Sequence, residues 1–222
     1  MATTLILGAS RGIGLEFARQ YVAAGDRVIA TARDDAGLAR LKDLGVQPLR
    51  VDVADPASIS GLGWQLDGEK IDTALYVAGV FPPGDARQPP TREAFDQAMH
   101  TNVLGAMQAI PQVAPLVEAA RGRFGFISSA MGRIAGVESS RAWTYRVSKA
   151  ALNMAVASAQ HNCPDAILVA LSPGWVQTDM GGAAANLTPE QSVTAMRQTL
   201  AALTAQQRGA FIDIGGRPFA GW

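Results

Sequence analysis

The sequence predicts a doubly wound α/β fold with a mostly parallel seven-stranded sheet, in one domain spanning residues 1–222. Three observations predict it. Seven short apolar runs alternate strictly with longer segments of helical period. The runs are apolar throughout rather than at every second residue, which suits strands covered on both faces. No composition shift, low-complexity tract or short repeat marks an internal boundary.

The elements follow in order. "TTLILG" (3–8) reads as a buried strand ending at glycine, and helical period runs from Ile13 to about Ala24. "DRVIATA" (26–32) is the second strand, a short helix covers 35–43, and "QPLRVDV" (47–53) is the third strand. Residues 56–66 read as a helix with Pro56 in its first turn. "TALYVAG" (73–79) is the next strand, and "FPPGDARQPP" (81–90) is a loop. A long helical pattern runs from Glu93 to about Ala120, with a kink or break expected at Pro111 and Pro115. "GRFGFISS" (122–129) is a strand, residues 143–160 form a mostly buried helix, and "AILVALSPG" (166–174) is a strand. The helix from Thr188 to Ala205 takes Thr188 as its cap and Pro189 as its first residue, and "GAFIDI" (209–214) closes the sheet.

Composition excludes several functions. The 222 residues hold 19 basic and 19 acidic side chains, a formal net charge of zero. That leaves no electrostatic footprint for nucleic acid or an anionic membrane, and neither is expected as a partner. The single cysteine, Cys163, excludes an internal disulfide and suits a reduced, cytoplasmic setting. The N-terminus lacks a basic segment before its apolar residues, so it does not read as a signal peptide, and no stretch reads as a membrane helix. His100 and His161 stand apart without acidic or cysteine companions, so no metal site is expected.

In open parallel sheets, ligands bind beyond the carboxyl ends of the strands. "GASRGIG" puts Gly8, Gly12 and Gly14 at the end of the first strand, with Ser10, Arg11 and Ile13 between them. Glycines there let the backbone turn and approach a pyrophosphate, which the helix N-terminus behind them attracts. At the end of the second strand an acidic residue would bind the ribose 2′-hydroxyl of NAD. Ala32 occupies that place and Arg33 follows, which favours the 2′-phosphate of NADP over NAD, with Arg11 as a second positive charge.

Tyr145 and Lys149 lie four apart at the start of a helix and share one face. A phenol with a pKa near 10 is poorly matched to neutral pH, and an ammonium beside it lowers that value. An isolated pair at this spacing is usually a solvated stripe. Its company decides otherwise.

The ordered set "GASRGIG", "VDV" (51–53), "YVAG" (76–79), "TNVLG" (101–105), "FISS" (126–129), "YRVSK" (145–149) and "SPGWVQTDM" (172–180) resembles the short-chain dehydrogenase/reductase family over nearly the whole chain. Within it, "SSAMGRIAG", "YRVSKAALNM" and "TDMGG" resemble the branch of the C-factor protein and sniffer-type carbonyl reductases. The resemblance implies a Rossmann fold, carbonyl–alcohol chemistry on a small molecule, and a homodimer or homotetramer formed through the helices at 93–120 and 143–160. By residue, it implies Tyr145 as general acid/base and Lys149 as the group that lowers its pKa and binds the nicotinamide ribose. Ser129, or else Ser128, would hold the substrate oxygen, and Asn102 would hold a water in a proton relay. Asp52 and Val53 would meet adenine, Ala78, Gly79 and Val176 would line the cofactor, Pro173 and Gly174 would lie beside the nicotinamide, and Thr178 would bind its carboxamide or the phosphates.

Three departures from the family pattern stand out: Val77 replaces an asparagine, Leu7 a threonine, and the loop 130–143 is longer than usual. Phe81, Met131, Trp143, Trp175 and Met180 lie near strand ends and are candidate walls of an apolar substrate pocket. A second function class is a dinucleotide-binding regulatory protein with little turnover, suggested by the short segment between Met180 and Thr188.

Overall fold

A computed structural model describes residues 1–222. Its strands are β1 (Thr3–Leu7), β2 (Arg27–Ala32), β3 (Gln47–Arg50), β4 (Thr73–Tyr76), β5 (Arg123–Ile127), β6 (Ile167–Leu171) and β7 (Phe211–Ile212). They form one sheet in the order β3-β2-β1-β4-β5-β6-β7, and every pairing is parallel. The order reverses between β1 and β4, which opens a crevice at their carboxyl ends.

The helices are α1 (Gly12–Ala23), α2 (Asp35–Asp43), α3 (Pro56–Ser60), α4 (Leu62–Gln65), α5 (Arg92–Met99), α6 (Gly105–Ala119), α7 (Trp143–Gln160) and α8 (Pro189–Ala202). Successive strand residues face opposite sides, so β1 sends Leu5 and Leu7 into one core and Ile6 into the other. The first core joins Tyr76, Phe124 and Phe126 to α6 and α7, and the second joins Phe17, Val169 and Met196 on the opposite face. Both faces of the sheet are thus covered by buried, mainly apolar side chains, which is why the strands carry no alternation. No helix is long and apolar enough to cross a membrane.

Several elements differ from expectation. The third strand stops at Arg50, so Asp52 and Val53 lie beyond it, and β4 stops at Tyr76. The helical stretch at 56–66 is divided at Gly61, which caps α3 and opens α4. Pro111 and Pro115 do not break their helix: α6 runs through both. Both prolines are exposed, on the side of the helix where water can satisfy the carbonyls they leave free. The irregularity sits upstream, where His100–Leu104 forms a π-turn between α5 and α6. Thr188 and Pro189 open α8 as expected, with a reciprocal capping bond to Gln191.

Candidate active site

The glycine loop is a tight fit. Gly8 has φ +91°, and a Cβ there would meet Ala78 at 2.7 Å. A Cβ on Gly14 would collide with the Gly8 carbonyl. Backbone bonds hold the loop to β2: Gly8 N–H donates to Thr31 Oγ1 at 3.0 Å and Ala9 N–H to the Thr31 carbonyl at 2.8 Å. α1 then starts at Gly12 with no side-chain cap. Its first-turn N–H groups and its dipole are therefore available to a phosphate, and the loop fits a dinucleotide.

Thr178 approaches from the other side, its methyl 3.4 Å from where a Gly12 Cβ would be. Its hydroxyl caps Gly181 N–H at 3.1 Å. In the same loop Pro173 and Val176 are buried, Gly174 has φ +76°, and the Pro173 carbonyl accepts from Ser192 Oγ at 2.7 Å. Asp52 accepts from Ala54 N–H at 3.0 Å, and Val53 is buried beside it. Ile13, Ala78 and Gly79 are partly exposed around the crevice. Arg33 is exposed, and the carboxylate after it, Asp34, is spent capping α2 through Gly37 N–H at 2.7 Å. Arg11 forms an exposed ion pair with Asp179 at 3.1 Å.

α7 is preceded by Ala142, whose backbone is left-handed (φ +56°) and whose N–H donates to the Gly84 carbonyl at 2.7 Å. Tyr145 and Lys149 then point inward together, and both are buried. The Lys149 ammonium lies 5.6 Å from the Tyr145 ring centre and donates to the Ile127 carbonyl at 2.7 Å. Burial without a carboxylate partner pulls Lys149 down to about 7. Burial also pushes the Tyr145 phenol up to about 12, while the Ser129 hydroxyl beside it pulls the other way. In the protein alone, loss of water around the phenolate sets the direction of the Tyr145 shift.

Ser128 and Ser129 face opposite ways. Ser128 is buried and hydrogen-bonded to Asn153 Oδ1 at 2.5 Å, whereas Ser129 caps Met131 N–H at 3.1 Å on the phenol side. Asn102 sits in the π-turn, fully buried. Its amide donates to the Val80 carbonyl at 3.0 Å and to Ser148 Oγ at 2.9 Å, and accepts from Val80 N–H at 2.8 Å. A Cβ on Gly79 would lie 3.4 Å from Asn102 Oδ1 and 3.6 Å from Lys149 Nζ, so the three converge.

Sequence reasoning did not single out two supporting groups. The Tyr76 hydroxyl donates to the Thr101 carbonyl at 2.6 Å and anchors the π-turn, and Ser148 links Asn102 to the Tyr145 carbonyl at 2.8 Å. Ser148 is a buried polar residue three positions after Tyr145, a signal the helical period carries.

Among the pocket candidates, Phe81 lies against Tyr145, with ring centres 4.6 Å apart. Met131 and Trp143 instead line an apolar groove of about 240 Å³ with Ile134, Val137, Val147 and Ala150. Tyr145 and Phe81 are not part of that groove, so these candidates do not share one hollow. Trp175 and Met180 are exposed on the loop after β6, where the Trp175 indole donates to Gly181 at 2.8 Å.

Comparison with known proteins places this geometry. The family model "short chain dehydrogenase" matches residues 2–188. A 1-hydroxy-2-glutathionyl-2-methyl-3-butene dehydrogenase of Rhodococcus sp. (strain AD45) is 30% identical over 97% of this chain and 98% of its own. The C-signal protein of Myxococcus xanthus is 40% identical over 52% of this chain and 71% of its own. Among solved structures, the carbonyl reductase Sniffer of D. melanogaster superposes with a TM-score of 0.90 at 27% identity, covering 100% of both chains. A short-chain dehydrogenase/reductase from Burkholderia multivorans, solved with bound NADP, gives 0.87 at 31% identity over 98% of each. Matched along most of its length in sequence and over all of it in structure, the protein belongs to the short-chain dehydrogenase/reductase family of oxidoreductases.

Proposed function

We propose that the protein is an NADP(H)-dependent carbonyl reductase or alcohol dehydrogenase, with Tyr145 as general acid/base. The observation that carries this reading is the convergence of the buried Tyr145, Lys149 and Asn102 with the half-buried Ser129 beside the glycine loop. The bound nicotinamide supplies or accepts the hydride.

The chain's own residues handle the oxygen and its proton. Ser129, on the phenol side of its strand end, holds the substrate oxygen. Tyr145 donates its proton to that oxygen in reduction and takes it back in oxidation. Lys149, with a pKa of about 7, is only about half protonated at neutral pH, and its protonated form supplies positive charge and a proton to the phenol. Asn102 spends its amide on Val80 and Ser148, so it positions the relay by holding the π-turn against α7. The Phe81 ring against Tyr145 favours an apolar substrate flank. Support for NADP over NAD comes from Arg33 standing free while Asp34 is committed to α2. It also comes from the Burkholderia relative's bound NADP.

The whole chain acts as one unit in this reading, in the cytoplasm, and pairs with a second copy through α6 and α7, whose Met107, Val147 and Met154 are exposed. Sedimentation showing only monomer would remove that pairing. A regulatory role with little turnover is the second reading, favoured by the similarity to C-signal.

The deciding experiment follows NADPH and NADH oxidation with a panel of ketones, aldehydes and quinones, on wild type and Tyr145→Phe. The expected result is NADPH-selective turnover that the variant loses while still binding NADPH. Full activity in Tyr145→Phe would overturn the assignment, and binding without turnover on any carbonyl would favour the regulatory role.

A further inference from the structure

We infer that Arg40, on α2, is a specificity-determining residue that joins Arg33 in binding the 2′-phosphate of NADP(H), an inference that rests on the cofactor reading above. Arg40 is eight residues beyond the end of β2 and exposed. Its Nε donates to the Ser10 carbonyl at 3.0 Å, which holds the guanidinium against the glycine loop. Its two terminal nitrogens have no protein acceptor.

The approach of α2 makes this contact possible. Gly37 packs so close to the loop that a Cβ there would lie 2.8 Å from the Ala32 Cβ and 2.9 Å from the Ser10 Cβ. Ser10, Ala32 and Gly37 therefore meet, with Arg33 following one of them and Arg40 leaning on another. This is the edge of the crevice where the adenosine ribose of a dinucleotide would lie, given the pyrophosphate at the N-terminus of α1.

The local charges leave these two arginines uncompensated. Asp34 is turned onto Gly37 N–H, and Asp35 is paired with Arg50, which also donates to the Arg33 carbonyl at 3.0 Å. Arg11 is paired with Asp179 on the far side of the loop. Two free guanidinium groups beside a ribose site match a phosphate dianion in charge and in hydrogen-bond geometry.

The test is calorimetric titration of 2′,5′-ADP and 5′-ADP into wild type, Arg40→Ala and Arg33→Ala. Wild type is expected to prefer 2′,5′-ADP. Arg40→Ala should reduce that preference about tenfold or more, the loss of a charge-assisted contact, and leave 5′-ADP binding unchanged. Arg33→Ala should act the same way. If Arg40→Ala weakens both ligands alike, Arg40 only props the glycine loop, and the inference falls. It falls equally if neither ligand is affected. If wild type itself binds both ligands equally, the NADP(H) reading has failed, and that result does not depend on any variant.

Discussion

The interior of α7 and the rim of the glycine loop carry polar groups of opposite kinds. Around Tyr145, three polar side chains are buried and answered by partners on other elements: Asn102 by Val80 and Ser148, Ser128 by Asn153, and Lys149 by Ile127. Around the loop, Arg11, Arg33 and Arg40 stand in water: single contacts hold Arg11 and Arg40, and Arg33 is free. Buried hydrogen bonds are costly to break because the orphaned partner stays dry, whereas exposed ion pairs contribute little. The interior should therefore govern rate and stability together, and the rim should govern which ligand binds and little else.

The sharpest attempt to break this contrast is Tyr145→Phe, which should lower kcat by about 10²–10⁴-fold with cofactor affinity unchanged. Matched loss of affinity would show that the interior also carries binding. Next comes Asn102→Ala, which strands Val80 N–H and Ser148. Chemical denaturation should show a loss of about 1–3 kcal/mol, accompanied by a fall in kcat.

Lys149→Met should act in the opposite direction on stability while abolishing turnover. Its pKa is lowered from 10.5 to about 7, so between those values the unfolded chain binds more protons and wild-type stability rises with pH. The variant should therefore be more stable than wild type by on the order of 1–2 kcal/mol at pH 7 and below. That advantage should fade as pH climbs toward 10.5. A pH-independent difference would mean that the lysine is not desolvated as the structure has it. The smallest effect belongs to the rim: Asp179→Ala, which frees Arg11, should change stability by less than about 1 kcal/mol and respond to salt. A larger loss would place the ion pair among the structural contacts and erase the contrast.

The two regions were also unequally legible in the sequence. The glycine loop and the seven strands are local patterns readable where they stood, whereas the Tyr145–Lys149 face gained its meaning only from the ordered motifs around it. The choice between Ser128 and Ser129 was not readable, because neighbours at a strand end face opposite ways and only the packing of Asn153 shows which side is filled. The π-turn at His100–Leu104 escaped because one extra residue in a helix leaves the apolar period nearly intact, while the prolines downstream drew attention as breakers. Arg40 escaped because its contact depends on how closely Gly37 lets α2 approach. Met131 and Trp143 fell into a separate groove because no motif sets the path of loop 130–143.

The position of β1 in the sheet bears on how the chain is made. β1 lies between β2, which follows within thirty residues, and β4, whose paired residues are Thr73–Tyr76. During synthesis the first strand therefore gains one neighbour early and waits for the other until about a third of the protein has emerged. In that interval the nascent chain presents an unpaired edge on a strand that ends in Leu5, Ile6 and Leu7, the kind of surface that recruits chaperones or other strands. The residues that build the glycine loop are thus translated first, but they are fixed against Ala78 only after β4 arrives.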